Sequence, residues 1–268
     1  MHSLFKKLTF SAVAAIGLCV STGALAQEKV ARTADGKPDI NGIWQAMGSA
    51  NWDLEPHNAE AGPVVAMGAL GARTGGLGVV EGGRIPYKPE ALKKRDENRA
   101  NWLERDLVVK CYLPGVPRAT YLPHPFQIFL APDTTLITYE FAGADRIVYM
   151  NRPKSEAPVD SWMGYNLGRW EGDTLVIDVT AQMEDSWLDS AGNFHGPTMK
   201  VQERYTPKGN NVLMYEATIT DPDVFTKPWK ISMPLYRRLE KNAQLMDFKC
   251  VEFVEELLYG KLRKPGTK

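Results

Sequence analysis

From residue 126 onward, hydrophobic and polar positions alternate with a period of two, in runs divided by short polar turns. The runs 126–131, 135–141, 145–150, 165–170, 174–180, 198–205, 212–220, 230–238 and 245–252 each read as a strand. Several are dense in Val, Ile, Thr, Tyr and Phe, which suit a pleated, half-buried surface. Upstream, 39–44 reads as a short first strand anchored by Trp44. The clearest hairpin spans 165–180, where two arms meet at Trp170-Glu171-Gly172-Asp173 and Gly172 offers the positive φ of a tight turn. No strand–helix alternation occurs, which argues against a parallel α/β sheet. The expected architecture is all-β, an antiparallel lipocalin-like barrel, because closure removes exposed edges. A β-sandwich is the alternative.

The residues before 126 read differently. A polar arm (27–38) leads to the first strand, and 51–57 is an aromatic, acidic loop. Residues 62–83 hold eight glycines and only Arg73 and Glu81 as charges. Glycine loses the most backbone freedom on ordering, so this stretch predicts neither helix nor strand. No Gly-Lys-Ser/Thr follows it, which removes a phosphate-cradling loop; a lid and a packed surface loop both fit. Residues 89–106 form the one helix candidate, with Pro89 in the first turn and Glu90–Lys94 as an i,i+4 pair. Pro114, Pro117, Pro123 and Pro125 then enforce a stiff, extended connection. The expected organisation is a leader (1–26), an N-terminal wrap with the glycine-rich loop and helix (27–125), and the β domain (126–268).

The leader changes the compartment. Lys6-Lys7 precede an apolar run (8–20), and Ala24-Leu25-Ala26 forms a small-residue cleavage site before Gln27. That is the pattern of a secretory signal peptide. Cys19 follows Leu18 rather than the small residue that lipoprotein processing favours, so the expected product is free in the periplasm or secreted. Over all 268 residues, 32 basic side chains balance 32 acidic ones. No basic stripe suits a nucleic acid and no second long apolar run suits a membrane span, leaving a small-molecule ligand or substrate as the expected partner. After the leader only Cys111 and Cys250 remain, and an oxidising compartment favours their pairing over two buried thiols. Closing so long a loop stabilises by roughly 4–5 kcal/mol in the chain-entropy model.

Candidate chemistry centres on three loop histidines, His57, His124 and His195. Together they could bind a metal, but no pair has short ligand spacing, so no cofactor is expected. His195 follows Asp189 by six residues in a loop with Gly192 and Asn193, a spacing from which the carboxylate could orient a general base. The competing reading is an Asx-rich turn whose side chains satisfy their own backbone. No Gly-x-Ser-x-Gly elbow supports a serine hydrolase. Strand parity adds carboxylates among apolar neighbours: Asp178 with Val176, Glu203 with Val201 and Tyr205, Glu216 with Val212 and Met214. On an interior face these would have raised pKa values, unless Arg169, Arg204, Arg237 or Arg238 neutralises them. Trp162, Tyr165 and Trp187 could line an apolar pocket, with Arg169, His57 and His124 as polar contacts.

The segments PDINGIW (38–44), CYLPGVPR (111–118), PFQI (125–128), GRWEGDTLVIDVT (168–180), ERYT (203–206) and DPDVFTKPWKISMPLYRR (221–238) together resemble a family of exported bacterial proteins. The resemblance spans nearly all of 27–268. It implies export and one compact domain, and it carries over no catalytic residue.

Two functional classes follow. One is a cofactor-independent hydrolase, lyase or isomerase acting on a small, partly hydrophobic molecule in a β-barrel pocket. Its acid–base set would be His195 and Asp189 with Glu203 or Glu216. The other is a periplasmic binding protein for a hydrophobic or aromatic small molecule. A carboxylate within hydrogen-bond reach of His195 in one pocket favours the first, and an aromatic–aliphatic pocket the second. The disulfide is tested by thiol labelling of denatured, unreduced protein from an oxidising compartment. No reactive thiol is expected, and two per mature chain would overturn the pairing.

Overall fold

The computed structural model describes residues 30–62 and 72–248. Among these, nine strands run in chain order around a closed barrel. They are β1 (Gly42–Ala46), β2 (Phe126–Leu130), β3 (Thr134–Tyr139), β4 (Asp145–Met150), β5 (Tyr165–Glu171), β6 (Thr174–Thr180), β7 (Lys200–Pro207), β8 (Val212–Thr220) and β9 (Trp229–Arg237). β1 closes the circle against both β2 and β9. The sandwich alternative therefore falls. Three strands keep the expected bounds and five shift by two residues or fewer; β1 starts and ends later. Residues 245–248 are not a strand, and the rest of the expected run 245–252 lies outside the described residues.

The barrel is mixed rather than wholly antiparallel, because β4 and β5 run parallel. Asn151, in the left-handed region, turns the chain out of β4, and residues 151–164 carry it back to the end where β4 began. At this parallel joint Gly168 has a specific task. A Cβ there would lie 2.5 Å from Met150 Sδ and 2.6 Å from Val148 Cγ1, so only glycine admits the packing of β4 side chains.

The inward positions fill the barrel. Gly168, Ile177, Glu203, Ala217 and Ile231 are aligned across β5 to β9, as are Trp170, Leu175, Tyr205, Tyr215 and Met233. Trp44, Phe126, Ile128, Ile137, Val148, Leu213 and Ile219, none of them with solvent-accessible surface, complete the interior. The expected ligand pocket within the barrel is thus occupied at these positions by the protein's own side chains.

Strand polarity sorts the connections by length. One end has the tight turns 131–133, 172–173 and 208–211. The other receives 47–125, 140–144, 181–199 and 221–228, and these long segments build a cap over that mouth. The expected helix 89–106 divides at Asn101 into α1 (Pro89–Ala100) and α2 (Trp102–Arg105). Only Ala91 and Asn98 of α1 are buried. The proline-rich connection also contains one unexpected turn of helix, α3 (Arg118–Tyr121), which is wholly buried in the cap. The glycine-rich segment is laced down where it is described. Residues 57 and 60 bridge 76 and 73, and Val80 bridges Ile231 of β9. Cβ atoms at Gly75 and Gly78 would meet backbone nitrogen of Ala59 at 2.8 Å and of Pro56 at 2.6 Å. Close backbone approach explains both glycines, and the described part of 62–83 is packed structure.

Candidate functional site

The cap holds most of the buried polar groups outside the barrel interior. Arg118 of α3 makes a two-pronged pair with Asp106 at 2.8 Å on both arms, and also donates to Asn51 Oδ1 (3.2 Å) and Ser190 Oγ (2.9 Å). This ties the segment after β1, the end of the helical region and the 181–199 loop into one body. Tyr121, three residues on, donates to the carbonyl of Leu188 at 2.6 Å.

Asp189 is the loop's own fastener. Its Oδ1 accepts from the backbone N–H groups of Ala191 (2.9 Å) and Asn193 (3.2 Å). Its Oδ2 accepts from Leu54 N–H (2.8 Å) and the Asn193 amide (2.6 Å). The side chain is fully buried. Burial and the nearby Asp53 carboxylate push its pKa up to about 7, against the pull of those donors and of Arg118. The Asx-turn reading therefore describes Asp189, whose contacts lie with three backbone N–H groups and the Asn193 amide rather than with the imidazole.

His195 is oriented by other groups. Its Nδ1 lies 2.9 Å from the carbonyl of Gly196, so Nδ1 carries the proton. That leaves Nε2 to accept from the hydroxyl of Ser186, 2.9 Å away. Gly196 is itself held through its N–H by Asp221 Oδ2 at 2.6 Å. Burial lowers the imidazole pKa below its usual range, which keeps the ring neutral near pH 7. The chain thus places a neutral base against a hydroxyl, with a backbone carbonyl where a carboxylate orienter was expected.

The two strand carboxylates separate. Glu203 faces the barrel interior and pairs with Arg146, both without exposed side-chain surface. Tyr205 and Tyr215 donate to its other oxygen at 3.1 and 2.8 Å. Glu216 lies on the outer surface, bound to Lys230 at 2.9 Å. Its neighbours Val212 and Met214 are only half-buried, so parity had grouped it correctly but on the solvent side. Asp178 and Arg169 also pair outside, at 2.6 Å. His195, Asp189, Glu203 and Glu216 accordingly form no single acid–base set.

The expected ligand-binding side chains are also dispersed. Trp187 is buried in the cap and bridges Phe194. Trp162 packs on Tyr112, and Tyr165 on Tyr149. His57 directs its ring nitrogens at the carbonyls of Glu55 (2.8 Å) and Thr74 (3.0 Å), stapling the glycine-rich segment. His124 lies 3.2 Å from Glu140 and packs against Phe141 and Phe248. Among the described residues, no group of three His, Cys, Asp or Glu side chains is placed to hold a metal ion. No described helix is long and apolar enough to cross a membrane. Cys111 is half-buried beyond the helical region, while Cys250 lies outside the described residues.

A cavity of about 430 Å³ opens beside the mouth of the barrel. Its floor is Ala46, Ala50, Tyr121 and Met233, all buried, and Gly75–Val79 forms one wall. Met47 and Leu77 line it as well, and these two are 70% and 95% exposed. Sequence reading named none of these residues as ligand contacts. Gln182 and Asp221 were missed because each acts through a partner that another loop brings to it, and Ser186 because its contact forms only when its own loop folds back.

Among the described residues, fold and cap together define a closed nine-stranded barrel with one elaborated mouth. Neither a protein-family model nor a curated protein matches the chain.

The cap yields a stability prediction. With a folded pKa near 7 and an unfolded value of about 3.9, Asp189 binds more proton in the folded state between those limits. Its contribution is fully present below about pH 4 and is lost as pH rises through about 7. His195, lowered by burial, acts oppositely and loses stability as pH falls through the imidazole range. Asp189→Asn turns an amide N–H toward donors and should cost about 2–4 kcal/mol in urea unfolding at pH 7. It should also flatten the decline between pH 4 and 7; an unchanged pH profile would contradict the assignment.

Proposed function

We propose that this is an exported protein that binds a small hydrophobic molecule in the cavity at the barrel mouth. The carrying observation is the cavity's lining: a mostly apolar floor, a glycine-rich wall and an apolar rim, with Ser49, Ser232 and Tyr121 as its hydroxyls. A volume of about 430 Å³ suits a ligand of drug-like size or smaller. Tyr121 already spends its proton on Leu188, so the lining selects by shape and apolar burial more than by polar bonds. Each Å² of ligand surface removed from water contributes roughly 25 cal/mol. The exposed Met47 and Leu77 would lose their contact with water when a ligand is seated.

This reading is favoured over an acid–base enzyme because the carboxylates expected around His195 are engaged elsewhere. The enzyme reading retains one specific support, the Ser186–His195 contact.

Titration of the purified full chain with N-phenyl-1-naphthylamine, a neutral apolar fluorophore, tests the proposal. Saturable fluorescence enhancement is expected. Ala50→Phe, which fills the cavity from its floor, should weaken it by about tenfold or more, as expected for a lost apolar contact surface. The melting temperature should change little. Absent saturation, or equal affinity in a folded Ala50→Phe variant, would remove the cavity as the ligand site.

A further inference from the structure

Close to the Ser186–His195 contact lies Gln182, whose amide is only half satisfied by structure. Gln182 is 1% exposed, and its Oε1 accepts the N–H of Val116 at 2.7 Å. That bond fixes the amide and leaves Nε2 buried with no hydrogen-bond partner. A buried donor without an acceptor is costly, and here it is a donor that an incoming acceptor could satisfy. Gly115 relates this amide to the hydroxyl. A Cβ on residue 115 would lie 2.5 Å from Ser186 Oγ and 3.5 Å from Gln182 Oε1. Ser186 Oγ and the Gln182 amide oxygen therefore pack against the flank of Gly115, and glycine, with φ +71°, is the residue that admits them this closely.

Hydroxyl, neutral imidazole and unsatisfied amide are the parts of an acyl-transfer site. We infer that Ser186 is a nucleophile toward small carboxylic esters, with His195 as its general base and the Gln182 amide as donor to the developing oxyanion. Ser186 Oγ bonds to the ester carbonyl carbon as its proton passes to His195 Nε2. The carbon–alkoxide bond then breaks and the imidazolium returns that proton, so the alcohol leaves. Water, deprotonated by the same nitrogen, attacks the acyl-serine and releases the acid and free serine. Ester plus water thus gives acid plus alcohol, with no oxidant or metal. Asp221 is a positioning residue, since it holds Gly196 and Gly196 holds the imidazole. The Met183 carbonyl, 3.4 Å from Ser186 Oγ, offers the hydroxyl a longer alternative that rotation toward Nε2 gives up. Ser186 and His195 are only 4% and 2% exposed, which confines the substrate to short acyl groups.

This site is separate from the cavity floored by Ala50, so the two proposals fail independently. The test is intact-mass analysis and tandem mapping of the full chain after treatment with a methyl-substituted fluorophosphonate. Hydrolysis of p-nitrophenyl acetate is followed in parallel. One adduct per chain, on Ser186, is expected. Ser186→Ala should abolish it, His195→Gln should slow it by about 10²–10⁴-fold, and Gln182→Ala should slow ester turnover by about 10²–10³-fold. Binding of the naphthylamine probe should be unchanged in Ser186→Ala. Wild-type protein without an adduct, or with one that maps elsewhere, would overturn the assignment, and neither result depends on a variant that folds.

Discussion

The ion pair between Arg146 and Glu203 inside the barrel is the interaction on which the rest of the structure depends. Neither side chain has exposed surface. Taking each charge out of water costs several kcal/mol, and only close pairing with full hydrogen bonding offsets it. The barrel supplies both. Arg146 Nε and one terminal nitrogen donate to Asn166 Oδ1, the other to Tyr139, while Glu203 draws Tyr205 and Tyr215. These partners come from β3, β4, β5, β7 and β8. A one-residue slip of any of these strands would turn its polar group outward, so the network ties registry across the barrel to one arrangement. Asn166 extends it to the parallel joint, where its amide donates to the carbonyls of Met163 and Gly164 at the end of the crossover.

That constraint also decides where ligand chemistry can sit. A filled interior leaves only the ends, and strand polarity sends the long connections to one of them. There Arg118, Asp106 and Asp189 perform in the cap the role that Arg146 and Glu203 perform below, fastening segments distant in sequence. With those charges committed to structure, the cap retains two less committed features. One is the apolar cavity floored by Ala46, Ala50, Tyr121 and Met233. The other is the hydroxyl–imidazole contact of Ser186 and His195.

Strand alternation is a local property, which is why β4, β6 and β8 were legible to the residue. Pairing is not local. Nothing in 151–164 announces that the chain crosses back to make β5 parallel to β4, since the fold there depends on Gly168 accepting Met150 and Val148. Parity placed Glu203 on an inward face through Val201 and Tyr205, but it placed Glu216 equally firmly on a face that proved external. Arg146 shares parity with Val148 and Met150, so its inward position was readable, though its pairing across to β7 was not. The Asp189–His195 spacing misled because a buried aspartate in a tight loop is taken up by backbone N–H groups and by the Asn193 amide before it can reach the imidazole. Ser186 stands in no local pattern that marks a nucleophile, and its contact with His195 arises only when the loop closes on itself.

A double-mutant cycle on the barrel pair tests the account most directly. Arg146→Met and Glu203→Leu, measured singly by chemical unfolding, should each lower stability by about 3–5 kcal/mol, because each strands a buried charge. Together they should cost much less than the sum, with a coupling of about 2 kcal/mol or more. Additive losses would show that the two charges do not depend on each other, and the barrel's registry would then have to be fixed by apolar packing alone.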